Sequence, residues 1–234
     1  MAKIRLDKFI ASQSELSRKD ARIAIWQGRV TVNGQALTVP DTAVDTDSDV
    51  QLDGCPVSYK QYVYFMLNKP RGVVSATRDK SAKTVLDLLP ERYKKLQCSP
   101  VGRLDKDTTG LLLITNDGNF VHKVISPVKH VEKSYIATLD AEPSPKLVGD
   151  FAAGVTLADK TVCRPAMLEL LGDCRARVVI TEGKYHQIKR MFGTAGLGVV
   201  ALHRERIGAL RLDNGLEPGE LKELTFSEAS RVFE

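Results

Sequence analysis

Two periodicities divide the chain. Near its start, apolar Leu6, Phe9 and Ile10 recur at helical spacing and predict a short helix. A second helix is predicted over Arg18–Gln27: Ser17, with Asp20 three residues on, forms a capping box in which Asp replaces Glu, and Gly28 supplies a left-handed stop. Arg29-Val-Thr-Val32 then alternates like a strand into the Asn33-Gly34 turn, and Val50-Gln-Leu52 runs into Asp53-Gly54, a second hairpin signal. Residues 1–59 therefore predict two helices followed by a small twisted sheet.

From the apolar run Tyr62-Val-Tyr-Phe-Met-Leu67 onward the pattern becomes mixed. Strands are predicted at Val73–Ala76, Leu111–Thr115, Ser134–Leu139, Arg175–Thr181, Gly198–Leu202 and Leu221–Leu224. Helices are predicted at Thr84–Leu89, Asn119–Ile125, Pro145–Ala152, Gln187–Gly193 and Phe226–Val232. Strands outnumber helices and do not alternate with them, which predicts an α+β class with a mixed, mainly antiparallel sheet rather than a doubly wound fold. The boundary between a small domain, 1–59, and a larger one, 60–234, is expected near Ser58–Gln61, where an Asp-rich stretch ends.

Composition alters this picture little. An apolar fraction of 43% and a charged fraction of 27% suit a soluble globular protein. No apolar run approaches the ~20 residues of a membrane span, and MAKIRLDKFI lacks the apolar core of a secretory leader, so a cytoplasmic location is expected. Cys55, Cys98, Cys163 and Cys174 are far apart and form no C-x-x-C pair; they read as reduced thiols, with no metal site.

Charge says more through its distribution than through the net +5. Residues 1–30 carry Lys3, Arg5, Lys8, Arg18, Lys19, Arg22 and Arg29 against Asp7, Glu15 and Asp20, while residues 31–59 hold Asp41, Asp45, Asp47, Asp49 and Asp53 with no Lys or Arg. A module with a basic half and an acidic half suits one that presents a face to phosphates.

Three segments stand out chemically. The polar stretch Val101-Gly-Arg-Leu-Asp-Lys-Asp-Thr-Thr-Gly110 leads straight into the apolar strand, a lip on which a rigid element can hold a side chain over a cleft. It also reads as a loop closed by an Asx turn at Asp105 or Asp107. In Glu132-Lys-Ser-Tyr-Ile-Ala-Thr-Leu139, alternation puts Lys133, Tyr135, Ala137 and Leu139 on one face, and by itself Tyr135 is an ordinary half-buried strand tyrosine. Thr181-Glu-Gly-Lys-Tyr-His-Gln-Ile-Lys-Arg-Met-Phe192 sets Lys184, Lys189 and Arg190 beside Tyr185 and His186, the mixture of charge and flat rings found on RNA-binding surfaces and also on solvated helix faces.

Together these segments resemble the pseudouridine synthases, in the RsuA branch that acts on small-subunit (16S) ribosomal RNA. The resemblance spans essentially the whole chain. It rests on an S4-like RNA-binding module from Arg5-Leu-Asp-Lys-Phe-Ile10 through Gly28-Arg-Val-Thr-Val-Asn-Gly34, on Tyr64-Phe-Met-Leu-Asn-Lys-Pro-Arg-Gly72, and on the signature Gly102-Arg-Leu-Asp105. Glu132-Lys-Ser-Tyr135, Glu182-Gly-Lys-Tyr-His-Gln-Ile-Lys-Arg190 and His203-Arg-Glu-Arg-Ile-Gly208 complete it.

The resemblance implies that Asp105 is the essential aspartate, Tyr135 the active-site tyrosine and Lys189 the cation that pairs with the aspartate in a dry pocket. Arg103 matches the arginine that fills the gap left by a displaced base, and Asp107 has no counterpart. RNA contacts are expected from Arg5, Lys8, Arg18, Lys19, Arg22 and Arg29 in the small domain and from Lys184, His186 and Arg190 in the large one. The reaction requires no cofactor, and the implied partner is 16S ribosomal RNA in an assembling small subunit, bound by a monomer. A sibling synthase acting on 23S ribosomal RNA or tRNA, and a non-catalytic ribosome-assembly protein, are the competing readings.

Overall fold

A computed structural model of the protein describes residues 2–234. The chain forms two compact units, one comprising residues through Tyr62 together with Pro90–Gln97, the other Val63–Leu89 together with Cys98–Glu234.

In the first unit the apolar spacing produces helices Leu6–Gln13 and Arg18–Trp26, and Ser17 caps the second by accepting from the Asp20 amide at 3.1 Å. Asn33-Gly34 and Asp53-Gly54 take left-handed conformations, with φ of 50° and 80°, then 53° and 79°. Two positive φ values in succession match the twist of a two-residue hairpin, which is why Asn-Gly and Asp-Gly stand there. The hairpins build a four-stranded sheet whose Val30, Val32 and Val50 pack with Leu6, Phe9, Ile10, Ala21 and Ile25. Pro90–Gln97, read from sequence as part of the larger domain, belongs with this unit. Lys95 Nζ donates to the carbonyls of Glu15 and Leu16, 2.8 Å each, a contact that leaves no local pattern.

The second unit is built on a nine-stranded sheet. Its main path runs Met167–Gly172, Arg175–Ile180, Lys133–Leu139, Val199–Ile207, Thr109–Thr115, Tyr64–Lys69 and Leu221–Leu224. Every pairing on that path is antiparallel except Val199–Ile207 with Thr109–Thr115, where His203 faces Thr109 and Arg204 faces Gly110. The class is α+β, as expected. Leu111, Leu112, Leu113 and Ile114 are all at most 2% exposed. Burial of one such side chain contributes on the order of 1.5–3 kcal/mol, so the central strand is a rigid base for the loop preceding it.

Two expectations change and one strand is added. Val73–Ala76 is no ladder strand and contributes a single bridge, Val74 to Thr84. The Thr84–Leu89 helix is one 3-10 turn, Val85–Leu88. Met167–Gly172 is an edge strand that the sequence did not announce, since Leu168 alone of its residues is fully buried and alternation is correspondingly weak.

Candidate active site

The loop that carries Asp105 is fastened from several sides. Ser75 Oγ donates to the Leu104 carbonyl at 2.9 Å and accepts from the Leu104 amide at 3.1 Å; the Gly72 amide donates to the Lys106 carbonyl at 2.8 Å. Lys69, fully buried, donates Nζ to the carbonyls of Pro70, Lys106 and Thr108 at 3.0, 3.3 and 2.9 Å. Burial drives the Lys69 ammonium down to about 8, against the opposing pull of Asp107 and Asp105. The loop is thus held through its own backbone carbonyls, which leaves the aspartate side chains free for other partners.

Those partners come from the helix Gln187–Gly193 and the residue before it. Lys189 Nζ reaches Asp105 at 3.2 Å and Asp107 at 2.6 Å, and His186 Nε2 lies 3.6 Å from Asp105. The hydrogen bond from Lys189 outweighs burial and holds the Asp107 carboxyl below the usual carboxylate range; burial pushes Lys189 down, but its bonds to Asp107 and Asp105 hold it above the ordinary lysine value. Two features differ from the sequence reading. Lys189 is shared between both aspartates, and the cleft is open rather than dry, with the Asp105 side chain 30% exposed. The physical reason is the lip itself: a carboxylate on a strand-leading loop keeps one side to solvent until a ligand covers it.

Tyr135 lines the same cleft as Asp105, Lys189, Arg103, His186 and Lys184. It is 6% exposed and faces Arg204 across the Lys133–Leu139 and Val199–Ile207 strands. Arg204 donates to the Tyr135 hydroxyl at 3.3 Å, its guanidinium carbon lies 5.8 Å from the centre of the tyrosine ring, and its Nε donates to the Leu111 carbonyl at 2.7 Å. One arginine therefore ties the tyrosine strand to the strand that follows the Asp105 loop. The approach is close enough that a Cβ on Gly110 would lie 2.3 Å from the Arg204 carbonyl oxygen, and Gly110 has φ +99°, so a side chain there is excluded. Arg204, Lys69 and Ser75 carried no role in the sequence reading. Arg204 and Lys69 lie within segments that carry the family resemblance, but apart from the Lys69 bond to Pro70 the contacts reach partners dozens of residues away.

The expected RNA-contact residues divide. Arg103 is exposed on the cleft wall, and His186 stacks under the exposed Tyr185 ring with centroids 3.9 Å apart. Lys184 is paired with Glu182 at 2.8 Å and Arg190 with Asp159 at 2.5 Å. In the N-terminal unit, Asp7, fully buried, accepts from Arg5 at 2.9 Å, Arg22 at 3.1 Å and Arg18 at 3.4 Å, and Asp41 joins Arg5 and Arg22. The Arg5 hydrogen bonds overcome burial and, with Arg22 and Arg18, bring the Asp7 carboxyl down to about 2. Arg29 pairs with Asp53. Basic and acidic halves that are segregated in sequence are interleaved in space, while exposed Lys8 and Lys19 have no ion-pair partner among the described residues.

Among the described residues no group of three or more His, Cys, Asp or Glu could hold a metal ion, and no helix is long and apolar enough to cross a membrane.

This arrangement, a loop carboxylate beside an ammonium with a buried tyrosine in the same cleft, can be set against known proteins. The family described as RNA pseudouridylate synthase matches residues 63–194, and the S4 domain matches residues 4–50. Ribosomal small subunit pseudouridine synthase A of Escherichia coli (strain K12) is 44% identical over 232 residues, 98% of this chain and 100% of that protein. An uncharacterized RNA pseudouridine synthase of Bacillus subtilis (strain 168) is 40% identical, with 96% of each chain covered. A crystal structure of a pseudouridylate synthase superposes with a TM-score of 0.70 at 38% identity, covering 98% of this chain and 99% of that one. The family model matches more than half of the chain and relatives at 40–44% identity are matched end to end, so the chain belongs to the RNA pseudouridylate synthase family.

Proposed function

We propose that this pseudouridine synthase isomerises a specific uridine of 16S ribosomal RNA, with Asp105 as the carboxylate that acts on the ribose of a flipped-out nucleotide. The observation that carries the target is the end-to-end similarity to an enzyme named for the small ribosomal subunit, 44% identical with all of that protein covered. The observation that supports the residue is geometric: Asp105 lies on a backbone-anchored lip with Lys189 Nζ at 3.2 Å and Tyr135 in the same cleft.

The chemistry is a rearrangement. The bond from uracil N1 to C1′ breaks, the detached base turns, a bond from C5 to C1′ forms, C5 loses its proton and N1 gains one. Nothing is oxidised or reduced, so a cofactor has no electrons to supply. The Asp105 carboxylate serves either as the nucleophile at C1′ or as the base for elimination across C1′–C2′, with the Lys189 ammonium 3.2 Å away. Tyr135 offers a ring to the base and a phenol oxygen that accepts from Arg204. A base stacked in a duplex is out of reach of such a cleft, so the nucleotide is extruded at a cost of a few kcal/mol. In this reading Arg103, exposed and cationic, stacks in the vacated space and offsets part of that cost.

Ribosomal RNA carrying tritium at uridine C5 tests the reading. Purified protein releases tritium to water and Asp105→Asn does not; a protein that binds the RNA and releases none is a binder, and the proposal is then wrong. The target follows from carbodiimide-dependent primer-extension stops in ribosomal RNA from cells with and without the gene. Loss of a stop in 23S rather than 16S RNA would reassign the chain to the large subunit.

A further inference from the structure

Next to the Asp105 cleft lies a second pocket of about 280 Å³ that shares Tyr135, Arg103 and Gly183 with it. Alternation along the Lys133–Leu139 strand brings Lys133 and Tyr135 to its wall, and Arg204 enters from the neighbouring strand. Its electrostatics are unbalanced. Arg204 is 2% exposed and spends Nε and one terminal nitrogen on the neutral oxygens of Leu111 and Tyr135, while its other terminal nitrogen is buried with no hydrogen-bond partner. Lys133 Nζ donates to the Val131 carbonyl at 2.8 Å and has no carboxylate partner among the described residues. Burial, reinforced by the charge of Arg204, brings the Lys133 ammonium down to about 8. The carboxylate on the pocket wall, Glu182, is already committed to Lys184, Gln187 and the Arg164 amide, at 2.8, 2.8 and 3.0 Å.

Two sheltered cations that donate only to neutral groups and repel each other are unfavourable unless something negative completes them. We infer that this pocket is an anion subsite in which Arg204 and Lys133 hold a phosphodiester of the RNA next to the nucleotide in the Asp105 cleft. The unpartnered terminal nitrogen of the guanidinium can donate to a non-bridging phosphate oxygen, and the ammonium adds a point charge. The shared wall at Tyr135 and Arg103 limits the choice to a phosphate close to the reacting nucleotide. The inference rests on the reading that this cleft receives RNA; it does not depend on which ribosomal subunit supplies it.

Lys133→Met keeps the buried stem and removes the charge, Lys133→Arg restores the charge, and Lys133→Gln serves if the methionine variant folds poorly. Thermal unfolding is followed in inorganic phosphate and in chloride at matched ionic strength. Phosphate stabilises proteins generally by exclusion, so the quantity of interest is the gain of the wild type over that of Lys133→Met. A gain lost in Lys133→Met and kept in Lys133→Arg supports the subsite; the same gain in all three proteins, or none, overturns it.

Binding of a 16S ribosomal RNA fragment across a salt series then identifies the anion. Loss of one phosphate contact lowers the slope of log affinity against log salt by about 0.7–0.9 and weakens binding by roughly tenfold at low salt. An unchanged slope in Lys133→Met overturns the assignment to an RNA phosphate. Tritium release is scored separately: a protein that shows both binding effects but releases no tritium loses the synthase reading and keeps the subsite.

Discussion

Lys189 Nζ lies 2.6 Å from Asp107 Oδ1, closer than the 3.2 Å that separates it from Asp105. The aspartate to which the sequence assigned no catalytic role therefore makes the tighter contact, and Lys189 is oriented by one aspartate while it faces the other. If Asp105 is the reacting group and Asp107 only steadies the lysine, the two conservative substitutions differ sharply. Asp105→Asn is expected to lower tritium release by more than about a thousandfold, as loss of a nucleophile or base that acts with its partners does. Asp107→Asn forfeits one charge-assisted hydrogen bond, about 1.5 kcal/mol, and activity stays within roughly tenfold of wild type. Equal losses in both variants would remove Asp105 from its special role.

Stability and activity separate at Lys189. Its side chain is 21% exposed and its partners 30% and 51%, so the cluster is wet rather than buried. Breaking a sealed ion pair costs about 3–5 kcal/mol, whereas exposed pairs are worth about 0–1. The open geometry selects the lower figure. Lys189→Met is expected to shift the unfolding midpoint only slightly while tritium release collapses; a large fall in the midpoint would mean that the cleft is much drier than this geometry implies.

The two depressed lysines make stability depend on alkaline pH. Lys69 and Lys133 both titrate at about 8 in the folded protein, below the ~10.4 of an unfolded lysine. Between those values the unfolded chain binds more protons, so their contribution to stability rises with pH, by at most about 1.4 kcal/mol per pH unit for each. Cys98, pushed up by burial to about 11, works in the opposite direction above the usual thiol range, so the total curve is a mixture. The difference between wild type and Lys133→Met isolates one lysine. Lys133→Met is expected to be the more stable protein at pH 7, with its advantage shrinking as pH rises from about 8 to 10.4. Denaturant titrations at four pH values read this directly, and a constant difference contradicts it.

In the N-terminal unit, exposed lysines and paired arginines should behave differently. Lys8 and Lys19 have no ion-pair partner among the described residues, whereas Arg22 bonds both Asp7 and Asp41. Replacing Lys8 and Lys19 with Ala together is expected to reduce the salt slope of RNA binding by up to about 1.8 with no change in stability. Arg22→Ala, in contrast, leaves the buried Asp7 with fewer donors and destabilises the unit. Trp26, the single tryptophan, lies under the Arg22 guanidinium at 5.4 Å and reports that loss by fluorescence.

Much of the fold is legible along the chain because its determinants are local. Ser17 caps the helix it precedes, Asn33-Gly34 and Asp53-Gly54 turn where two left-handed residues are required, and the apolar run at Leu111–Ile114 becomes the buried central strand. Where the determinant is distant, the pattern is silent. Lys95 seats a segment against the first unit through two carbonyls about 80 residues away, as the 80- and 79-residue separations record, and nothing near Lys95 announces it.

The candidate site divides in the same manner. Residue types alone leave Asp105 as a turn residue and Tyr135 as a strand tyrosine; their candidate roles and that of Lys189 come from the resemblance of their segments to a family, and all three line one cleft. What the motifs could not contain is Lys69 donating to carbonyls of the Asp105 loop, Asp107 claiming half of Lys189, or Arg204 joining Tyr135 to Leu111. By itself, the order of residues determined most local conformations and the α+β class, because these depend largely on neighbours a few positions away. Tertiary structure alone decided which charges are compensated and which are left with an open valence. That depends on sheet order and register, which bring Gly110, Tyr135 and Arg204 from three separate strands to one place.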